Sequence, residues 1–217
     1  MVSTGCDNLD KFLGEGIEKG IITTLFGPSG SGKTNFVLSV AVNIVKSGGK
    51  VCFIDTENGI STQRIKQMLP SSYDTALKDI VSMFPVDLND QLSCIEKTKF
   101  LGISLIVVDS ISLLYRLNLI EDASKANSLL SKQVGLLIEI AREKDIPVLI
   151  VNQVYSDFDK KDSVKIVGGD ILKYSSKCLI ELKSSNKVCL RKHRYLASGG
   201  ELDFEIVNEG FKTYFRE

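Results

Sequence analysis

"FGPSGSGKTN", Phe26 to Asn35, decides how the rest of this chain is read. From Gly27 to Thr34 it matches every fixed position of GxxxxGK followed by Ser or Thr. It follows an apolar run, Ile21–Phe26, and opens a helical stripe, which is the context a phosphate-binding loop requires. Glycines there let successive backbone N–H groups converge on an anion, and the helix start adds its positive end. Gly27, Pro28, Ser29, Gly30, Ser31 and Gly32 form the cradle. Lys33 supplies a point charge for the β- and γ-phosphates, and Thr34 offers a hydroxyl to Mg2+. The ligands this predicts are ATP and Mg2+.

Three further runs have the same apolar, β-branched character: Lys50–Asp55, Ser104–Asp109 and Pro147–Gln153. Near-continuous apolarity marks a parallel strand covered on both faces. Between them lie helical stripes. One places Phe36, Val37, Val40, Ala41, Ile44 and Val45 together and stops at Gly48-Gly49. Another runs through Leu129, Val134, Leu137, Ile138 and Ala141 and ends near Asp145, before Pro147. Alternation of this kind predicts an α/β fold with a mostly parallel central sheet and helices on both faces. "CLIELKSS" and "KVCLRKH" flank Ser185-Asn186, and "ELDFEIVNEG" follows. These predict antiparallel strands finishing the sheet. No repeat or Pro-rich linker breaks the chain, so a single domain over 1–217, with no separate N-terminal domain, is the expectation. The longest loop-like stretch is Tyr155–Val167, and a polar loop of that length is usually functional.

Composition narrows the function classes. The 217 residues hold 27 Lys+Arg and 27 Asp+Glu, so net charge points neither to nor away from nucleic acid. DNA contact would need a local patch. Five scattered cysteines without a CxxC pair and a single histidine argue against a Cys/His zinc centre and fit buried thiols in a reducing cytoplasm. No apolar run reaches the length of a membrane span, and the N-terminus carries no secretory signal. A cytoplasmic protein is expected.

Phosphate cradles need carboxylate partners. Asp109 closes an apolar strand at the carboxyl edge, where such sheets bind ligands, and is the candidate second partner for Mg2+. "FIDTEN" supplies Asp55 and Glu57 beyond the neighbouring strand. Glu57 reads as the acid that orients water, or as a solvated loop acid. Gln153 ends its strand as a γ-phosphate sensor or a structural amide. Lys187, Arg191, Lys192, His193 and Arg194 form a basic patch, open to DNA or simply a solvated strand face.

Together these pieces resemble the RecA-type recombinase ATPase core, and within it the archaeal RadB recombinase paralogues. The likeness runs from "STGCDNLDKFLGEGIEKGIITTLFGPSGSGKT" through "FIDTEN", "LIVVDSISLLYR" and "VLIVNQV" to "IVGGDILKYSSKCLIEL" and "LRKHR". The resemblance implies a RecA-like P-loop NTPase that binds ATP, Mg2+ and single-stranded DNA. It implies an accessory to a full-length recombinase and other recombination proteins in homologous recombination and DNA repair, with weak ATP hydrolysis. It implies that Glu57 polarises the attacking water and that Asp109 is the Walker B aspartate. Gln153 then links the γ-phosphate to a mobile DNA loop, and Arg64 lies over the adenine face. The segments after Arg116 and after Gln153 correspond to DNA-facing loops, making Arg116, Lys160, Lys161 and Lys165 candidate DNA contacts. Lys192, His193 and Arg194 fall near the region that caps a neighbour's ATP in filaments.

Departures from the family matter too. The chain starts at the ATPase core, without the linker that polymerises recombinases, so a monomer or dimer is expected rather than a long filament. The first DNA loop carries Glu121 and Asp122. In the second, Asp157, Asp159 and Asp162 offset Lys160, Lys161 and Lys165, while Tyr155 and Phe158 could stack on bases. Two alternatives stay open. One is a signalling ATPase or autokinase of the circadian-clock-protein type, which needs adjacent carboxylates where Asp55-Thr56-Glu57 stands. The other is a nucleotide-sensing adaptor without useful catalysis.

Overall fold

The computed structural model of the protein describes residues 1–156 and 164–215. The chain opens with α1 (Asp7–Phe12), β1 (Ile22–Gly27), α2 (Lys33–Lys46), β2 (Val51–Asp55), α3 (Thr62–Met68), α4 (Tyr73–Asp79) and β3 (Ile80–Met83). It continues through α5 (Leu88–Lys97), β4 (Leu105–Asp109), α6 (Ser112–Glu121), α7 (Ala123–Lys144), β5 (Val148–Ser156) and β6 (Val164–Ile166). It closes with α8 (Gly169–Ser175), β7 (Cys178–Lys183), β8 (Lys187–Lys192), β9 (Glu201–Val207) and β10 (Gly210–Tyr214).

The strands join in one sheet of order β10-β9-β8-β7-β1-β5-β4-β2-β3, with β6 paired to β5. Pairs from β7 across to β3 are parallel, and β7–β8, β8–β9 and β9–β10 are antiparallel. This is the mostly parallel sheet with antiparallel C-terminal strands that the patterning predicts. The central strands are apolar on both faces because each face meets its own core. Leu25, Val51, Phe53, Leu105, Val107, Leu149 and Val151 face α2 and the N-terminal helices. Their alternates, Ile22, Cys52, Ile54, Ile106, Val108, Val148 and Ile150, face α5 to α8. The α2 stripe from Phe36 to Val45 is buried in the first core. In α7, Leu130, Val134, Leu137 and Ala141 are buried in the second, with Leu129 and Ile138 half-buried against it.

The C-terminal hairpin folds back onto α2. Phe211 packs edge-on against Phe36 with centroids 5.2 Å apart and stacks on Phe204 at 4.5 Å. That packing carries β9 to the start of α2, far from it in sequence.

Two segments read as loops are ordered differently. The stretch after Arg116 continues α6 and passes straight into α7. The Asp122 carboxylate caps α7 by accepting from the Lys125 N–H at 2.9 Å, so the acidic pair marks a helix junction. The ends of Tyr155–Val167 zip together as a β5–β6 ladder, Val154 opposite Ile166, Tyr155 opposite Lys165 and Ser156 opposite Val164. Their β-branched residues suit paired strands better than a loop. Lys165 therefore lies on β6. Lys160, Lys161, Asp157, Phe158, Asp159 and Asp162 lie outside the described residues. Among the described residues no helix is long and apolar enough to cross a membrane. The five thiols are unpaired, and burial pushes those of Cys52 and Cys178 up to about 12.

Candidate functional site

Strand register brings the chemistry to one edge. Gly27 stands opposite Gln153, Asp55 opposite Asp109, and Asp109 opposite Val151. The carboxyl ends of β1, β2, β4 and β5 thus lie side by side. They form a cleft of about 260 Å³ lined by Ser29, Lys33, Thr34, Glu57, Asp109 and Gln153, among others.

The Gly27–Thr34 loop has the geometry of an anion cradle. Gly32, at φ +92°, is the N-cap of α2, a left-handed position that suits glycine. Gly27 runs against β7, where an added Cβ would sit 2.2 Å from the Leu182 carbonyl oxygen. The Lys33 side chain folds over the loop, and its Nζ donates to the Gly27 and Pro28 carbonyls at 2.9 and 2.7 Å. Burial lowers the Lys33 pKa, while Asp109 and Glu57 oppose that fall. A buried cation held over a glycine-rich loop at the start of α2, beside an open cleft, fits a polyphosphate.

Thr34 Oγ1 donates to Asp109 Oδ2 at 2.7 Å. Asp109 is buried, and loss of hydration raises its pKa to about 6, with the Thr34 hydrogen bond and Lys33 pulling the other way. One hydroxyl and one carboxylate facing a phosphate site fit a magnesium ion, which takes most remaining ligands from phosphate and water. Among the described residues no cluster of three His, Cys, Asp or Glu side chains suits a metal held by protein alone.

The two acids of "FIDTEN" separate into different roles. Asp55 is buried, and its carboxylate accepts from the backbone N–H groups of Glu57, Gly59 and Ile60 at 3.1, 3.1 and 2.9 Å. It shapes the turn that presents Glu57. Glu57 is exposed on the cleft. Its Oε1 accepts from Ser110 Oγ and, at 2.9 Å, from Gln153 Nε2. The Gln153 Oε1 accepts in turn from Arg116 on α6 at 3.0 Å. The result is a continuous hydrogen-bonded chain, Ser110–Glu57–Gln153–Arg116, from the end of β4 to α6.

Ser110 carries no motif signature. It is buried, and Thr56 holds it through two 2.9 Å bonds, one to its carbonyl and one from its N–H. That lock ties the ends of β2 and β4 and so aims the Ser110 hydroxyl at Glu57. Its place directly after Asp109 is the one signal that could have found it. Ile206 was equally hidden. It lines the cleft beside Gly32 because the aromatic packing of β9–β10 on α2 delivers it there.

Arg64 sits at the α2 flank, with Nε donating to Asn35 Oδ1 at 2.8 Å and Nη2 to the Val207 carbonyl at 2.6 Å. Its guanidinium edge is thereby fastened between the phosphate-loop helix and the C-terminal hairpin. The basic patch finds its partners within the chain. Lys192 Nζ donates to the Lys173 and Ser176 carbonyls at 2.9 and 2.7 Å, capping α8, and Arg194 pairs with Glu18. Arg191 pairs with Glu181, and Lys187 with Glu201 at 2.9 Å. His193 packs edge-on against Tyr195, and burial lowers its pKa. Because Lys192 stands opposite Leu179 near the start of β7, it lies toward the sheet edge away from the cleft, whereas Lys187 stands opposite Lys183 at the other end of β7.

The sequence model of the Rad51 family matches residues 1–213. The chain is 40% identical to the DNA repair and recombination protein RadB of Methanobrevibacter smithii, over 96% of this chain and 93% of that protein. It is 36% identical to the RadB of Methanosphaera stadtmanae, over 94% and 92%. A crystal structure of the RadB recombinase superposes with a TM-score of 0.86 at 33% identity, covering 99% of this chain and all of that one. With the P-loop, the Thr34–Asp109 pair and the RecA-like sheet in place, the chain belongs to the Rad51 family and, within it, to the RadB recombinases of DNA repair and recombination.

Proposed function

We propose that the protein is an ATPase that uses ATP and Mg2+ to govern its hold on single-stranded DNA. It assists a full-length recombinase, with slow hydrolysis. The observation that carries this is the hydrogen-bonded chain from Glu57 through Gln153 to Arg116. It joins the nucleotide cleft to α6 and, through the backbone of β5, to the β5–β6 ladder.

Lys33 and the loop N–H groups would hold the β- and γ-phosphates, and Thr34 and Asp109 would hold the metal. When bound, Mg2+ neutralises charge on the phosphate oxygens. Glu57 orients the attacking water and takes up its proton. Ser110 keeps that carboxylate aimed into the cleft. Gln153 carries two amide N–H groups; one reaches Glu57 and the other is available to a terminal phosphate oxygen. Loss of that oxygen releases Gln153, and β5 transmits the change to the segment beyond it. Arg64 keeps its guanidinium face for an adenine ring, with Ile206 as an apolar neighbour. The autokinase reading loses ground because Asp55 is spent on three backbone N–H groups, leaving Glu57 as the carboxylate free to act.

The test is ATP turnover with and without single-stranded DNA, in the parent and in Glu57→Gln, beside a strand-exchange assay with a full-length recombinase. Glu57→Gln should keep ATP affinity and lose turnover, and the parent should assist exchange without catalysing it. Parental turnover in Glu57→Gln would refute the role given to Glu57. Label transferred from ATP onto the protein would favour the autokinase.

A further inference from the structure

We infer that Arg116 is a positioning residue that sets which face of the Gln153 amide looks into the nucleotide cleft. The inference deepens the proposed function, because it rests on Gln153 meeting the terminal phosphate.

The argument is one of donors and acceptors. The Gln153 main chain is fixed from several sides. Its strand pairs with β1, its N–H reaches Ser112 Oγ at 3.3 Å, and its carbonyl accepts from the Val167 N–H at 3.3 Å. The neighbouring Asn152 side chain, fully buried, adds a 2.7 Å bond to the Val167 carbonyl. What remains variable is rotation of the Gln153 amide, whose oxygen and nitrogen are nearly equal in size but opposite in chemistry.

Two neighbours decide that rotation. A guanidinium can only donate, and Arg116 Nη1 lies 3.0 Å from Gln153 Oε1. An ionised carboxylate can only accept, and Glu57 Oε1 lies 2.9 Å from Gln153 Nε2. A flipped amide would set its oxygen against Glu57 and its nitrogen against Arg116, turning two charge-assisted hydrogen bonds into two repulsive contacts. Glu57 alone would favour the observed orientation, but it has a second task, because it must turn toward water. While it does so, Arg116 is the group that still holds the amide oxygen away from the cleft. The donating N–H groups then stay aimed at a phosphate oxygen. A flipped amide would present a carbonyl oxygen to the phosphate, and acceptor would face acceptor.

This role differs from that of a DNA contact, the role the family resemblance implies for Arg116. A pure DNA contact acts only when DNA is present. A residue that orients Gln153 acts on the nucleotide-bound protein by itself.

The experiment uses the full chain with Arg116→Met, which removes the donors, and Arg116→Lys, which remains donor-only. The Gln153 side-chain amide protons are followed by NMR in the nucleotide-free protein in a Glu57→Ala background, which reproduces the state in which Glu57 has turned away, and are assigned through their loss in Gln153→Leu. That background and its Arg116→Lys variant should show two distinct, exchange-protected signals. In Arg116→Met these should move toward solvent-like positions. Without DNA and with Glu57 intact, kcat for ATP should fall on the order of tenfold in Arg116→Met with KM unchanged, and recover in Arg116→Lys. Amide signals unaltered in Arg116→Met would overturn the inference, as would an unaltered DNA-free kcat. A parent without ATP turnover would count against the proposed function instead, and the amide signals would still decide the role of Arg116.

Discussion

Replacing Asp109 with Asn removes a buried charge while keeping its shape and an oxygen for the Thr34 hydroxyl. Burial raises this carboxyl from 3.8 to about 6. The folded protein thus binds a proton at Asp109 more readily than the unfolded chain does. The stability this gives is fully present below pH 3.8, is lost as pH rises toward about 6, and is gone above it. At neutral pH and above, the ionised form costs about 3 kcal/mol, from 1.36 kcal/mol per pH unit. The new amide brings N–H groups that the site does not fully satisfy, which takes back about 1 kcal/mol. Asp109→Asn should therefore stabilise the ligand-free protein by about 2 kcal/mol near pH 8, or roughly 4–8 °C in melting temperature for a chain of this size. The gain should shrink with falling pH, vanish at about pH 4.5 and reverse below it. Adding ATP and Mg2+ should reverse the ranking, since ligand binding would stabilise the parent by mass action and the variant lacks the carboxylate proposed to hold the metal. Thermal melts of both proteins across pH, with and without ligand, check all of this. A variant less stable at every pH, or a difference that ignores pH, would refute the claim that Asp109 is held ionised at a cost for the sake of the metal.

Lys33→Met should cost about 3 kcal/mol of ATP affinity, roughly a hundredfold, because the phosphate loses its charge-assisted donor. Its ligand-free stability should hold or rise, since Lys33 is buried and burial lowers its pKa; calorimetry and urea melts check the two halves. Phe211→Ala removes the ring that clamps the hairpin to α2 and should cost about 3–5 kcal/mol in urea unfolding. It should also weaken nucleotide binding, because Ile206 and the Val207 carbonyl that holds Arg64 travel with that hairpin. Lys192→Ala deprives two carbonyls of α8 and its end of their donor and should cost about 1 kcal/mol. DNA affinity and its salt dependence should not change, and a shallower salt slope would assign Lys192 to DNA instead.

Much of the fold was legible because its central strands are buried on both faces. The runs ending at Phe26, Asp55 and Asp109 need no partner information to be recognised, and their observed ends differ by a residue at most. The run through Gln153 was recognised but ends later, at Ser156, because its last residues pair with β6. β3 was not legible, being four residues at an edge, Ile80 buried and the other three half-buried, too short for a period to show. The stripe from Leu129 to Ala141 was legible as a helix, but the helical course of residues 112–128 was hidden by polar residues around Asp122 that suit a loop as well as a cap. The cradle, Asp109, Glu57 and Gln153 were legible as a site because each sits at the carboxyl end of a recognisable strand or just beyond it. The partners of Arg64, Lys192 and Arg194 were not. They lie up to 176 residues away, and no local spacing encodes which acid or carbonyl the fold will bring to a cation.

The most direct test of the central claim is the affinity of the protein for fluorescent single-stranded DNA, with a non-hydrolysable ATP analogue and with ADP, in the parent and in Gln153→Ala. The analogue should tighten DNA binding in the parent relative to ADP, and the two nucleotides should become equivalent in Gln153→Ala at nearly unchanged nucleotide affinity. Equal DNA affinity with analogue and ADP in the parent would contradict it.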